Sequence, residues 1–310
     1  MFEGFKEHLV PGEVDIHARV GGKGPALLLL HGFPQNLFEW AHVAPLLAER
    51  YTVVCTDLRG YGKSGKPAAE GDAYSFRAMA RDQVAVMNAL GFDRFHVVGH
   101  DRGARTAHRL ALDHPKAALS LSLLDIVPTL EMFANANAEV ARAYWHWFFL
   151  QQPFPYPEKL IEASPDHFYE GFFSTLGNMR LVDFDPAQLE AYRCAWRDPG
   201  FIRASCADYR TTASIDCALD QKDLTRQVEC PSLVLWGSAG VLAQRFDVSS
   251  LWAKRLARPE FATVNGGHFF IDQWPAQTAE ILGRFLDKHS AGGSPATPFP
   301  SEIPARAPGS

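Results

Sequence analysis

Two glycines, Gly99 and Gly103, bracket His100-Asp101-Arg102 between the apolar run Phe95-His96-Val97-Val98 and a helical pattern over 104–114. A strand that enters a helix through so short a turn has no room for side chains beside the apex. Glycine on both sides therefore predicts a nucleophile elbow, in which the apical side chain stands at the mouth of a pocket. The turn also constrains the architecture. The strand must end at a sheet edge, and the helix must pack back onto the sheet. The apex here is aspartate rather than serine. A carboxylate attacks an sp3 carbon well and an ester or peptide carbonyl poorly, so the residue type points to displacement at carbon.

Six short apolar runs, at 26–30, 51–56, 95–99, 119–124, 232–236 and 261–264, are each bounded by Gly, Pro, Asp or Asn. Such runs fit strands buried on both faces, as in parallel sheets. Helical patterns lie between several of them. Phe76, Met79, Ala80, Val84 and Met87 keep helical spacing, and Gly91 supplies a helix end. The alternation predicts an α/β fold with a mostly parallel central sheet flanked by helices. It breaks after Asp125. The stretch 128–229 shows no clear strand run and is rich in aromatics, among them Tyr144 to Phe149 and Phe168 to Phe173. It reads as a helical cap inserted over the ligand edge of the sheet. The expected division is a core of residues 1–127 and 230–290, a cap of 128–229 and a disordered Gly/Pro/Ser-rich tail of 291–310.

Composition narrows the function. The 310 residues are 47% hydrophobic, enough for a sizeable core, and carry a net charge of -5. No basic run with interleaved aromatics is present, which argues against nucleic acid as a partner. No apolar stretch approaches the roughly 20 residues of a membrane span, and the N-terminus lacks an apolar signal region. Five scattered cysteines, Cys55, Cys194, Cys206, Cys217 and Cys230, do not form a disulfide or zinc framework. The expected setting is reducing and cytoplasmic.

An aspartate nucleophile needs a base to activate water, a charged partner to orient the base, and backbone donors for the oxyanion. His268, in Gly266-Gly267-His268-Phe269 after the last apolar run, is the base candidate. The loop after 232–236 holds no carboxylate, and Asp247 lies farther on, at a position read as inside a helix. Asp125, closing the run 119–124, is the expected acid. Asp57 is a weaker rival in a turn-like segment, Asp57 to Ser64. The oxyanion donors expected are the backbone N–H groups of Phe33, in His31-Gly32-Phe33-Pro34, and of Arg102. His31 reads as structural.

Taken together these residues resemble the α/β-hydrolase superfamily across roughly residues 5 to 290. The order nucleophile, acid, histidine is that superfamily's chain order. Within it, Gly-His-Asp-Arg-Gly with Arg105, Ala143-Tyr144-Trp145-His146-Trp147 and Asp208-Tyr209-Arg210 resemble the fluoroacetate (haloacetate) dehalogenases. The resemblance implies Asp101 as nucleophile, His268 as base and Asp125 as its partner. It implies Arg102 and Arg105 as the substrate carboxylate site, and His146, Trp147 and Tyr209 around the leaving halide. The small-molecule partner would be a haloacid, with no metal or organic cofactor, and the chain would pair as a homodimer. Arg102 and Arg105, three residues apart, share one side of the elbow helix, where cations are locally unfavourable and so suggest function. Arg109 reads as an outer helix residue. An epoxide hydrolase or haloalkane dehalogenase would use the same Asp-His-Asp set, with Tyr209 and Tyr144 as proton donors in the epoxide case. Those enzymes commonly carry tryptophan after the nucleophile, and a neutral substrate has no use for two arginines. A non-catalytic carboxylate-binding protein of the same fold is a third reading, disfavoured because all three triad positions are filled.

Overall fold

The computed structural model describes residues 1–177 and 179–290. The expected disordered tail, 291–310, lies outside the described residues. All six apolar runs form strands: β3 (Ala26–Leu30), β4 (Thr52–Thr56), β5 (Phe95–His100), β6 (Ala118–Leu124), β7 (Ser232–Gly237) and β8 (Pro259–Val264). Two further strands, β1 (Lys6–Val10) and β2 (Ile16–Gly22), precede them. The order across the eight-stranded sheet is β1-β2-β4-β3-β5-β6-β7-β8. Strands β4 through β8 pair in parallel, whereas β1 with β2 and β2 with β4 are antiparallel. The first two strands escape an apolar-run search because β1 is an edge and polar His17 and Arg19 interrupt β2. In β1, Lys6, Glu7 and His8 face water in part, and even Leu9 is exposed.

The sheet is buried on both faces. Leu28, Leu30, Val54, Val97, Leu121 and Val234 pack on the face that carries the helices Phe76–Ala89 and Arg102–Asp113. Their sequence neighbours Leu27, Leu29, Val53, Val98, Leu233 and Leu235 pack on the opposite face with Trp40, Phe270, Leu282 and Phe285. Period-two alternation thus places every second residue in each core. Burying each such side chain is worth about 1.5–3 kcal/mol. The helix Phe76–Ala89 starts where expected, capped by the Ser75 side chain accepting from the Ala78 amide, and Gly91 takes φ +85 after its end.

Between β6 and β7 the chain is helical, from Thr129–Ala134 to Cys217–Lys222, and no strand interrupts it among the described residues. These helices rest on the carboxyl ends of the central strands. The contact is aromatic. The Phe33 ring, just after β3, meets the rings of His146, Tyr169, Phe172 and Tyr209 at centroid distances of 5.2–6.1 Å. No helix among the described residues is long and apolar enough to cross a membrane.

Candidate active site

Asp101 stands between β5 and the helix Arg102–Asp113 with φ 45 and ψ -111, a conformation an L-residue adopts only under constraint. The constraint comes from the neighbours. The Asp101 amide donates to the Leu124 carbonyl at 3.2 Å, and the Gly103 amide to the His31 carbonyl at 3.0 Å. A methyl group on Gly99 would strike the Gly103 carbonyl, and one on Gly103 would strike the Leu30 and His31 carbonyls. The bracketing glycines are therefore required by close backbone approach, as the elbow reading expects.

The carboxylate is almost fully buried. Its Oδ1 accepts the Phe33 amide at 3.0 Å, and Oδ2 takes no hydrogen bond among the described residues. The Arg102 amide, the other expected donor, opens the helix without a hydrogen bond to Asp101. Burial would push the Asp101 carboxyl up. The fields of His268, Arg102, His100 and Arg105 overcome that and bring it down to about 2. Asp101 is thus ionised across the whole neutral range.

His268 sits in the loop after β8. Its Nδ1 meets Asp125 Oδ2 at 2.6 Å, and Asp125 Oδ1 accepts the Gly237 amide at 3.0 Å. Asp125 itself is a non-glycine residue at φ +51. With Nδ1–H donated to the carboxylate, Nε2 is left as the acceptor, the arrangement a general base needs. The rival acids stand elsewhere. Asp57 accepts the Leu37 and Lys63 amides and meets His17, a structural turn. Asp247 is a helix N-cap rather than a helix-interior residue, accepting the Ser250 amide. His31 is fixed by the Leu58 amide donating to its Nε2 at 3.0 Å, as its structural reading expects.

The two arginines differ from one another. Arg102 is fully buried and donates from Nε to Asp208 Oδ2 at 2.9 Å. Its Nη2 donates to Asp208 Oδ1 and Thr212 Oγ1, while Nη1 is buried without a partner among the described residues. Burial opposes its charge, but Asp208 holds it well above the ordinary arginine value. Arg105 donates from Nη1 to the Val127 carbonyl and Thr129 Oγ1, both at 3.0 Å, and its Nε has no partner among the described residues. Burial brings it down to about 10. Arg109, expected on the outer side of this helix, is instead buried and paired with Asp113 at 3.0 Å and Asp223 at 2.6 Å. The insertion covers that side, which the helix pattern alone could not reveal.

His146, Trp147 and Tyr209 meet over the arginines. The Tyr209 ring lies 5.7 Å from the rings of both His146 and Trp147. The Arg102 guanidinium carbon is 4.2 Å from the Tyr209 centroid, and that of Arg105 is 4.6 Å from the Trp147 centroid. His146 Nδ1 is buried without a hydrogen bond among the described residues. Burial lowers His146 to about 3 and raises the Tyr209 hydroxyl, so both are neutral donors at neutral pH.

The expected side chains therefore lie together, and the Arg102 amide opens the elbow helix beside Asp101. Residue spacing gave no sign of the supporting groups Asp208, Glu39 and His100. His100 Nδ1 lies 2.5 Å from Glu39 Oε1, and its Nε2 donates to the His268 carbonyl at 3.0 Å. Burial alone would lower His100, but Glu39 raises it to about 9. The only sequence cue to these groups was adjacency: His100 precedes the nucleophile and Asp208 precedes Tyr209.

A strained apical aspartate, a histidine–carboxylate pair and an amide-lined loop at the carboxyl edge of a parallel sheet define a hydrolase site. The alpha/beta hydrolase fold family matches residues 25–275, and the chain belongs to that family. The chain is 59% identical to a fluoroacetate dehalogenase from Burkholderia sp. over 94% of its own length and 97% of that protein. It is 31% identical to a soluble epoxide hydrolase from Corynebacterium sp. (strain C12), covering 92% of this chain and 95% of that one. Among solved structures, an alpha/beta hydrolase from Nostoc sp. PCC 7120 superposes with a TM-score of 0.90 at 44% identity, over 92% of this chain and 99% of that chain.

Proposed function

We propose that the chain is a hydrolytic haloacetate dehalogenase that converts fluoroacetate and water to glycolate, fluoride and a proton. Asp101 Oδ2 attacks the carbon bearing the halogen, the C–F bond breaks, and fluoride leaves with the electron pair. His268 Nε2 then takes a proton from water. The hydroxide adds to the carbonyl carbon of the Asp101 ester, whose oxygen Oδ1 faces the Phe33 amide. Collapse expels the glycolate alkoxide, which takes up the proton from His268, and the regenerated Asp101 acid loses the second water proton to solvent; Asp125 holds the imidazolium while it lasts.

The observation that carries this reading is the charge arrangement around an aspartate nucleophile. Substrate and nucleophile are both anions, and two unit charges about 4 Å apart repel by roughly 4 kcal/mol at an effective dielectric of 20. Arg102 Nη1 and the unpartnered nitrogen of Arg105 supply donors and charge for the substrate carboxylate. A neutral epoxide or haloalkane would leave both idle. Fluoride is a poor leaving group and a strong acceptor, and the N–H and O–H groups of His146, Trp147 and Tyr209 are its donors. The dehalogenase likeness at 59% identity supports the same substrate class. Residues 128–229 act in this reading as a cap that seals the site over the core of 1–127 and 230–290. The chain works in the cytoplasm as a homodimer. Exposed Phe154, Tyr156 and Leu160 support pairing through the cap, which sedimentation would measure.

Fluoride-electrode assay of fluoroacetate turnover tests the activity, with styrene oxide and a haloalkane in parallel. A single turnover in heavy-oxygen water should give unlabelled glycolate, because the first oxygen comes from Asp101. His268→Ala should accumulate the ester, seen as a heavier protein by mass spectrometry. Turnover of styrene oxide without fluoride release, or fully labelled glycolate, would defeat the proposal.

A further inference from the structure

The two arginines of the carboxylate site are not equivalent, and the difference lies in Asp208. This residue is fully buried on the helix Pro199–Thr211, and its two oxygens take Nε and Nη2 of Arg102 in a fork-to-fork pair. Tyr61 donates its hydroxyl to Asp208 Oδ2 at 2.8 Å. Thr212, the first residue of a π-helical stretch directly after this helix, accepts from Arg102 Nη2 and donates to the Asp208 carbonyl at 2.9 Å. Three of the five N–H groups of the Arg102 guanidinium are thus engaged by protein. The remaining nitrogen, Nη1, is buried and without a partner among the described residues.

Arg105 shows the opposite design. Its contacts are to neutral oxygens, it forms no ion pair among the described residues, and two of its nitrogens are not engaged by them. Counting the ionised groups, Asp101 and Asp208 offset Arg102 and Arg105 before any substrate arrives. The nearby acid Asp216 is pushed up to about 8 by burial and by Asp208, so it adds no full charge at neutral pH.

We propose that Asp208 is a positioning residue of the substrate site: it pairs with and aims Arg102, so that Arg102 contributes a directed Nη1–H while Arg105 contributes a positive charge that no ion pair among the described residues holds. This inference rests on the reading of Arg102 and Arg105 as the carboxylate site. The cap reaches the substrate through it, since Asp208 lies in the insertion and Arg102 on the elbow helix. Seating of the helix Pro199–Thr211 is therefore linked to correct presentation of Nη1.

The test measures kcat and KM for fluoroacetate, with acetate as an unreactive competitive inhibitor. Fluoride release by the wild-type enzyme is established first; its absence would sink the parent reading rather than this one. In Asp208→Asn the KM and the acetate inhibition constant should each rise about tenfold or more, with a smaller fall in kcat. Should that variant fail to fold, Tyr61→Phe and Thr212→Val remove single struts without stranding a charge, and each should raise KM several-fold with little change in kcat. Lysine should be tolerated better at Arg105, where charge matters, than at Arg102, where the fork matters. Unchanged KM and acetate affinity in these variants, tighter acetate binding in Asp208→Asn, or equal tolerance of lysine at both positions would overturn the proposal.

Discussion

Asp101 shows how neighbours set the chemistry of one side chain. Its burial alone would favour the neutral acid, yet the surrounding positive field carries it to about 2. No acid limb from Asp101 is expected in an activity profile above roughly pH 3. Burial leaves His146 unprotonated down to about 3, so in the proposed halide pocket it would act as a neutral donor. A hydrogen bond to a charged group is worth about 1.5–3 kcal/mol, and each 1.36 kcal/mol is tenfold in rate. Trp147→Phe removes the indole N–H and keeps most of the ring. Fluoride release from fluoroacetate should fall roughly ten- to a hundredfold, with a smaller loss for bromoacetate, whose leaving group needs less help. Equal losses on the two substrates would remove Trp147 from the halide pocket.

The elbow is an element whose function depends on backbone contact. Its helix begins at Arg102, two residues before the periodic pattern suggests, because the turn spends only Asp101 between strand and helix. Gly103 lies against the carbonyls that end β3, so the turn and the Phe33 loop are built against each other. Gly103→Ala forces either the helix or that loop to shift. Overpacking of this kind typically costs about 1–3 kcal/mol and here falls on backbone, which cannot swing aside. Urea denaturation should show a loss of that size or larger, and kcat should fall with it because the Phe33 amide leaves Oδ1. An alanine variant with wild-type stability and activity would contradict the close packing.

For the whole molecule, buried titratable groups shape the dependence of stability on pH. His100 is raised from 6.5 to about 9, so the folded state binds the extra proton between those values and stability falls as pH rises through that window. Asp216 and Asp272, both lifted to about 8 by burial, act in the same direction below that pH. His96, His108 and His146 are lowered to between about 3 and 4, and their unfolded forms gain protons first below about 6.5, so stability also falls toward acid. The melting temperature should peak near neutrality and decline toward pH 9.5. Glu39→Gln removes the partner that keeps His100 charged and should flatten the limb between pH 6.5 and 9. A limb of unchanged steepness in that variant would assign it to other groups.

The amino-acid order by itself determined the elbow, the six central strands and the triad candidates. Those features are written in local terms: glycines beside the apex, short runs of apolar residues, and single polar residues at strand ends. It did not reveal β1, a half-exposed edge, or β2, whose apolar run is broken by His17 and Arg19, nor the burial of Arg109. It could not show that Arg102 belongs first to Asp208, that the Phe33 amide alone reaches Oδ1, or that Glu39 charges His100 behind the base. Each of those pairings joins residues 61 to 106 positions apart, and only the folded chain decides which buried charge meets which partner.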